Sequence, residues 1–97
     1  MCVATLRHER PVPRISEFYG IIIAMYDNDH APPHFHARYG EEEATIALDT
    51  FAVLEGELRP RVRGLVLEWA SVHREQLGED WELARNGLPR NPIEPLP

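Results

Sequence analysis

The sequence predicts an α+β domain: a small antiparallel sheet of three to four strands, followed by two helices packed on one face. Three observations lead there. Residues 17–58 carry short apolar runs and alternating patterns split by turn residues. Apolar residues then recur at helical spacing after Pro60. The chain has 97 residues, enough for one domain and one modest core.

The elements follow in order. Residues 1–12 form a leader with no periodicity, expected to be flexible, and residues 13–97 form the single domain. "EFYGIIIAMY" (17–26) reads as one strand, with Phe18, Ile22, Ala24 and Tyr26 on one face and Tyr19, Ile21, Ile23 and Met25 on the other. "DNDHAPP" breaks it, since Asn and Asp favour turns and each proline pushes its predecessor out of helix space. "HFHARYG" and "EEATIALD" make a hairpin about a two-residue turn at Gly40-Glu41. That register sets Phe35 opposite Ile46, His36 opposite Thr45 and Arg38 opposite Glu43. "FAVLEGEL" (51–58) is a short fourth strand.

Pro60 suits the first turn of a helix, where its missing N–H costs nothing. Val62, Leu65, Val66, Trp69, Val72 and Leu77 give that helix its apolar stripe, and Gly78 is expected to cap it. Gly64 inside it implies close packing on the sheet. Asp80 then opens a second short helix ended by Gly87, with Trp81, Ala84 and Leu88 on one side. Four prolines keep the tail, residues 88–97, extended.

Composition excludes several classes. The net charge is −6, which argues against broad binding to a phosphate backbone, so nucleic acid is not a supported partner. Residues 41–57 hold six acids and no basic residue, a stretch suited to a basic partner. The single cysteine, Cys2, has no internal disulfide partner, which fits a reducing, cytoplasmic setting. No apolar run is long enough for a membrane helix. Large apolar residues on both faces of the first strand need a cover on the face that the helices leave open: either the chain's own leader and tail or, the favoured reading, a second copy in a homo-oligomer, most simply a dimer, or a small partner protein.

The chemistry concentrates in "DNDHAPPHFHARYG". His34 and His36 share a face because strand periodicity is two, and His30 can fold back over them from the proline loop. Three readings stay open. His30, His34, His36 and Asp29 form a candidate metal set for a metal-dependent hydrolase, with zinc the ion suggested by imidazole ligands and an open position for water; Asp27, Glu43 or His73 are alternative fourth ligands. Without metal, His34 and His36 could act as base and acid while Arg38 holds a phosphate, as in a small ribonuclease. Alternatively these histidines are half-exposed scaffold residues bonded to Asp49, Thr45 or backbone.

"ISEFYGIIIAMYDNDHAPPHFHARYG", "LEGELRPR", "GLVLEWASVHRE" and "WELARNG…IEPL" resemble the bacterial family known as domain of unknown function 4160, over about Val12 to Leu96. The family's histidine motif matches Asp29, His30, Pro32, Pro33, His34, Phe35 and His36. The resemblance implies no assigned activity. Members often sit beside another small protein in compact gene pairs, and some are grouped with toxin–antitoxin components, which implies a partner protein and a regulatory role. Typical members begin near Val12, so the resemblance makes Met1–Pro11 an extra leader or moves the translation start.

Overall fold

The computed structural model describes residues 13–27 and 29–97. The expected leader, residues 1–12, lies outside the described residues. Five strands form one antiparallel meander in sequence order: β1 (Arg14–Phe18), β2 (Ile21–Ala24), β3 (His34–Tyr39), β4 (Glu42–Ala47) and β5 (Val53–Gly56). Two helices follow, α1 (Pro60–Val72) and α2 (Arg74–Arg85). The α+β class is as expected, but the sheet has five strands where three to four were predicted.

The extra strand comes from a turn hidden in an apolar run. Tyr19 and Gly20 both have positive φ, 51° and 78°, as a two-residue hairpin turn of the primed kind requires. The chain therefore reverses inside "EFYGIIIAMY", and Phe18 pairs with Ile21. Phe18 then shares the face of Ile21 and Ile23, where all three are buried. On the opposite face the apolar surface from these strands reduces to Ile22 and Ala24.

The β3–β4 hairpin has the expected register from His34↔Ala47 to Tyr39↔Glu42. Its inward row of Phe35, Ala37, Ala44 and Ile46 is fully buried and belongs to one core with Val62, Val66 and Trp69 of α1. Phe18 and Phe35 bracket the Trp69 indole at 5.5 and 5.9 Å between ring centroids. Burial on this scale is worth about 1.5–3 kcal/mol per large side chain. β5 must approach β4 closely at Gly56, where a Cβ would meet the Glu43 carbonyl oxygen at 2.0 Å.

The helices depart from expectation at their junction. α1 ends at Val72, which is 70% exposed, so Val72 leaves the apolar stripe. His73 joins the helices: its N–H donates to the Ala70 and Trp69 carbonyls, and its own carbonyl accepts the Leu77 N–H at 2.9 Å. Gly78 therefore lies inside α2 and does not cap α1, and Asp80 is a buried mid-helix residue. Gly64 is exposed, and among the described residues nothing stands within 4 Å of where its Cβ would be, so it does not serve close packing. Gly87 ends α2 as expected. Its N–H reaches the Ala84 carbonyl and that of Leu88 reaches Leu83, the paired bonds of a Schellman motif.

The tail closes one sheet edge. Ile93 N–H donates to Ile15 of β1 at 2.7 Å, Trp69 Nε1–H donates to the Glu94 carbonyl at 2.8 Å, and Ile93 is buried. At the other edge all four residues of β5 are exposed.

Candidate metal centre on the open sheet face

A row of directly opposed residues crosses four strands on the face away from α1: Ala24, His36, Thr45 and Glu55. His34 lies two positions before His36 on the same face. The loop between β2 and β3 brings Asp29 over this row. Its far end is held by Leu48 N–H donating to the Pro33 carbonyl at 3.0 Å, and its start by an Asp27–Arg90 ion pair. The Ala31-Pro32 peptide is cis.

Both imidazoles reach one carboxylate oxygen. Asp29 Oδ2 lies 2.9 Å from His34 Nε2 and 3.1 Å from His36 Nε2. His34 Nδ1 lies 2.6 Å from the Pro32 carbonyl oxygen. A carbonyl only accepts, so Nδ1 carries the hydrogen and a neutral His34 turns its Nε2 lone pair toward Asp29. Two lone pairs at that distance repel. A positive charge between them removes the conflict, either a second proton on the ring or a metal ion. Metal-binding histidines are commonly held in the same way: one nitrogen donates its hydrogen to a backbone carbonyl and the other is left for the ion. The spacing also fits. Ligands at about 2.1 Å from an ion stand about 3.0 Å apart at right angles and about 3.4 Å apart at the tetrahedral angle, so the 2.9 and 3.1 Å separations are close to the right-angle case.

Packing holds the rings in place. Trp81 of α2 lies 5.2 Å from the His34 ring, and Tyr26 meets the His36 ring edge-on at 4.6 Å. His34 is buried and His36 half-buried. Burial alone would push the Asp29 carboxyl up, but hydrogen bonds from His36 and then His34 outweigh it and hold the group below the usual carboxylate range. Burial first, then the Glu43 carboxylate, raises the Tyr26 phenol above its ordinary value.

Asp29, His34 and His36 thus converge, with one ligand atom from each lying within 4.8 Å of the others. The other sequence candidates sit apart to different degrees. The His30 ring is 93% exposed, with Nδ1 at 3.8 Å from Asp29 Oδ1. Arg38 is exposed on the same face, opposite Glu43. Glu43 Oε2 lies 3.8 Å from His36 Nδ1, whose other neighbour is Thr45 Oγ1 at 3.5 Å. Asp27 pairs with Arg90, Asp49 accepts from the Thr50 N–H, and His73 bonds to Gln76 at the helix junction. Sequence reasoning overlooked Glu55, whose place follows once β5 is registered on β4. It also overlooked the Pro32 carbonyl, which no side-chain pattern reveals.

A cleft of about 270 Å3 opens beside the cluster, lined by Asp29, His30, Pro32, His34, Leu54 and Glu55 among others. A larger cleft of about 770 Å3 lies at the opposite end of β3, against Tyr19, Tyr39 and Arg61. Among the described residues, no histidine or cysteine lines it.

A model of the family described as domain of unknown function 4160 matches residues 20–82. The chain belongs to that family. The matched region of this DUF4160 member spans β2 to Trp81 and includes all three converging residues. No curated protein and no solved structure matches the chain. Among the described residues, no helix is long and apolar enough to cross a membrane.

Proposed function

We propose that this domain is a small regulatory or interaction module built around a divalent transition-metal site, with Asp29, His34 and His36 as ligands. The observation that carries this reading is the meeting of two Nε2 atoms on one Asp29 oxygen while the Pro32 carbonyl holds the His34 Nδ1 hydrogen. Two imidazoles and one carboxylate suit zinc, iron(II), cobalt or nickel better than calcium or magnesium, which favour all-oxygen sets. The interaction role is supported by the exposed edge strand β5, where Val53 and Leu54 stand 38% and 43% exposed beside Glu55. Such edges recruit a further strand unless they are blocked. A partner protein or a second copy of the chain would meet the module there, in the manner of a small two-component pair acting in the cytoplasm.

The test is metal analysis and zinc titration of protein purified without a histidine tag. The proposal expects one zinc per chain in the wild type and loss of binding in His34→Ala and Asp29→Ala. A wild type with no zinc affinity would overturn it. RNA cleavage that survives chelator and disappears in His34→Ala or His36→Ala would replace it with the metal-free reading that also uses Arg38.

A further inference from the structure

We infer that an ion on Asp29, His34 and His36 keeps one coordination position open to the 270 Å3 cleft, and that this position takes a neutral imidazole-type nitrogen donor rather than an oxyanion. The inference rests on the metal reading above and adds the chemistry of the incoming ligand.

The room comes first. Three protein ligands leave even a four-coordinate ion one position short. The adjoining cleft of about 270 Å3 is several times the roughly 30 Å3 share of one water in the liquid, so a ring-sized ligand fits. The walls come next. Ala31, Pro32 and Leu54 give an apolar lining, and Thr45 adds a hydroxyl. Glu55 stands in the same cross-strand row as His36 and Thr45 and lines the cleft.

Charge decides the ligand class. Asp29 would offset one of the two positive charges of a divalent ion, and the other would be offset only by the more distant carboxylates Glu55 and Glu43. Glu55 lines the cleft, and Glu43 approaches His36 from the other side at 3.8 Å. Among the described residues, no arginine lines the cleft; Arg38 belongs to the neighbouring depression with Ile22, Tyr26 and Glu43. An incoming oxyanion would therefore face carboxylates with no guanidinium from these walls to receive it. A neutral imidazole meets no such repulsion. It binds through one nitrogen, lays its carbon edge on Leu54 and Pro32, and presents its remaining N–H toward the Glu55 carboxylate. Metal-bound histidines habitually make that outer bond to a carboxylate.

Two sources supply this chemistry: the exposed His30 of this chain, which already lines the cleft, or an imidazole from outside, such as a partner's histidine side chain. The experiment separates them. Tag-free protein is loaded with cobalt(II), and its visible bands are followed while imidazole or acetate is added to the wild type, His30→Ala and Glu55→Gln.

If no cobalt bands form, the metal reading itself fails. With bands present, the inference expects imidazole to shift them well before acetate does. Glu55→Gln, made in the background that responds (wild type or His30→Ala), should narrow that preference by about tenfold, the size of one like charge removed at short range in a partly wet site. An imidazole response confined to His30→Ala identifies His30 as the resident ligand. A response in both proteins identifies an external donor. Bands that respond to neither ligand in any variant, acetate binding as tightly as imidazole, or an unchanged preference in Glu55→Gln would each overturn the inference.

Discussion

Two shielded aspartates, Asp29 and Asp80, are pushed in opposite directions by their surroundings. Asp29 sits in the β2–β3 loop with two imidazole nitrogens on one oxygen, and those bonds win over burial. Asp80 is 1% exposed inside α2, where one oxygen accepts the Asn91 N–H at 2.8 Å and the other has no partner among the described residues. There burial wins over that one backbone bond and over Arg90, and the carboxyl is raised. The contrast teaches that burial does not set a carboxylate's role; the donors around it do. Asp80 ties the tail to α2 at an electrostatic cost. Asp29 shares one oxygen with two imidazole nitrogens, one of which faces it with a lone pair when His34 is neutral.

The largest expected effect separates the two acids by metal. Asp29→Ala or His34→Ala should weaken zinc binding at least about 100-fold, because each removes a direct ligand. Asp80→Ala should leave the affinity unchanged in the same titration. An equal loss in both would mean that the effect is general unfolding.

Thermal denaturation carries the comparison to stability. Zinc at about 100 times its Kd should stabilise the wild type by about 2.7 kcal/mol. Asp80→Asn should gain the same increment and Asp29→Asn almost none. An increment retained in Asp29→Asn would move the site elsewhere.

Without metal the two amide variants should diverge. Asp29→Asn should lose about 1.5–3 kcal/mol near neutral pH, the worth of a charged hydrogen bond. Because the folded pKa of Asp29 is lowered, its contribution is present above the unfolded value of about 3.9 and fades as pH falls through the folded value. Asp80→Asn should do the reverse, gaining about 1 kcal/mol at neutral pH while keeping an oxygen for Asn91. The folded pKa of Asp80 is raised, so its favourable contribution is complete below about 3.9 and lost as pH rises through the folded value. The advantage of Asp80→Asn should therefore vanish on acidification. Urea midpoints across pH would reveal it, and parallel curves for the two variants would break the contrast.

The most legible part of the sequence was the hairpin that carries the site. Strict alternation from His34 to Ala47, with glycine at its turn, admitted one register that buries Phe35, Ala37, Ala44 and Ile46 together, and the histidine face followed. The first hairpin was not legible. Tyr19 is an unusual residue for positive φ, and the apolar run beyond Gly20 read as a continuation. The joint at His73 was hidden for a similar reason: neither glycine nor proline marks it, and the apolar Val72 beside it points outward. At the site, residue types and spacing named His30, His34, His36 and Asp29 together, of which Asp29, His34 and His36 converge. They could not reveal that a backbone carbonyl orients one ring, or that His30 stays exposed while its neighbours converge.

The most direct test is X-ray absorption at the zinc edge of the zinc-loaded, tag-free protein. At least two imidazole nitrogens should appear at about 2.0–2.1 Å, three where the open position is filled by His30 or an outside imidazole, with carboxylate or light-atom scatterers at about 2.0–2.2 Å. The signal from these two imidazoles should be lost in the His34→Ala, His36→Ala double variant. A sulfur shell near about 2.3 Å, or a spectrum unchanged in the double variant, would contradict a centre built on these residues.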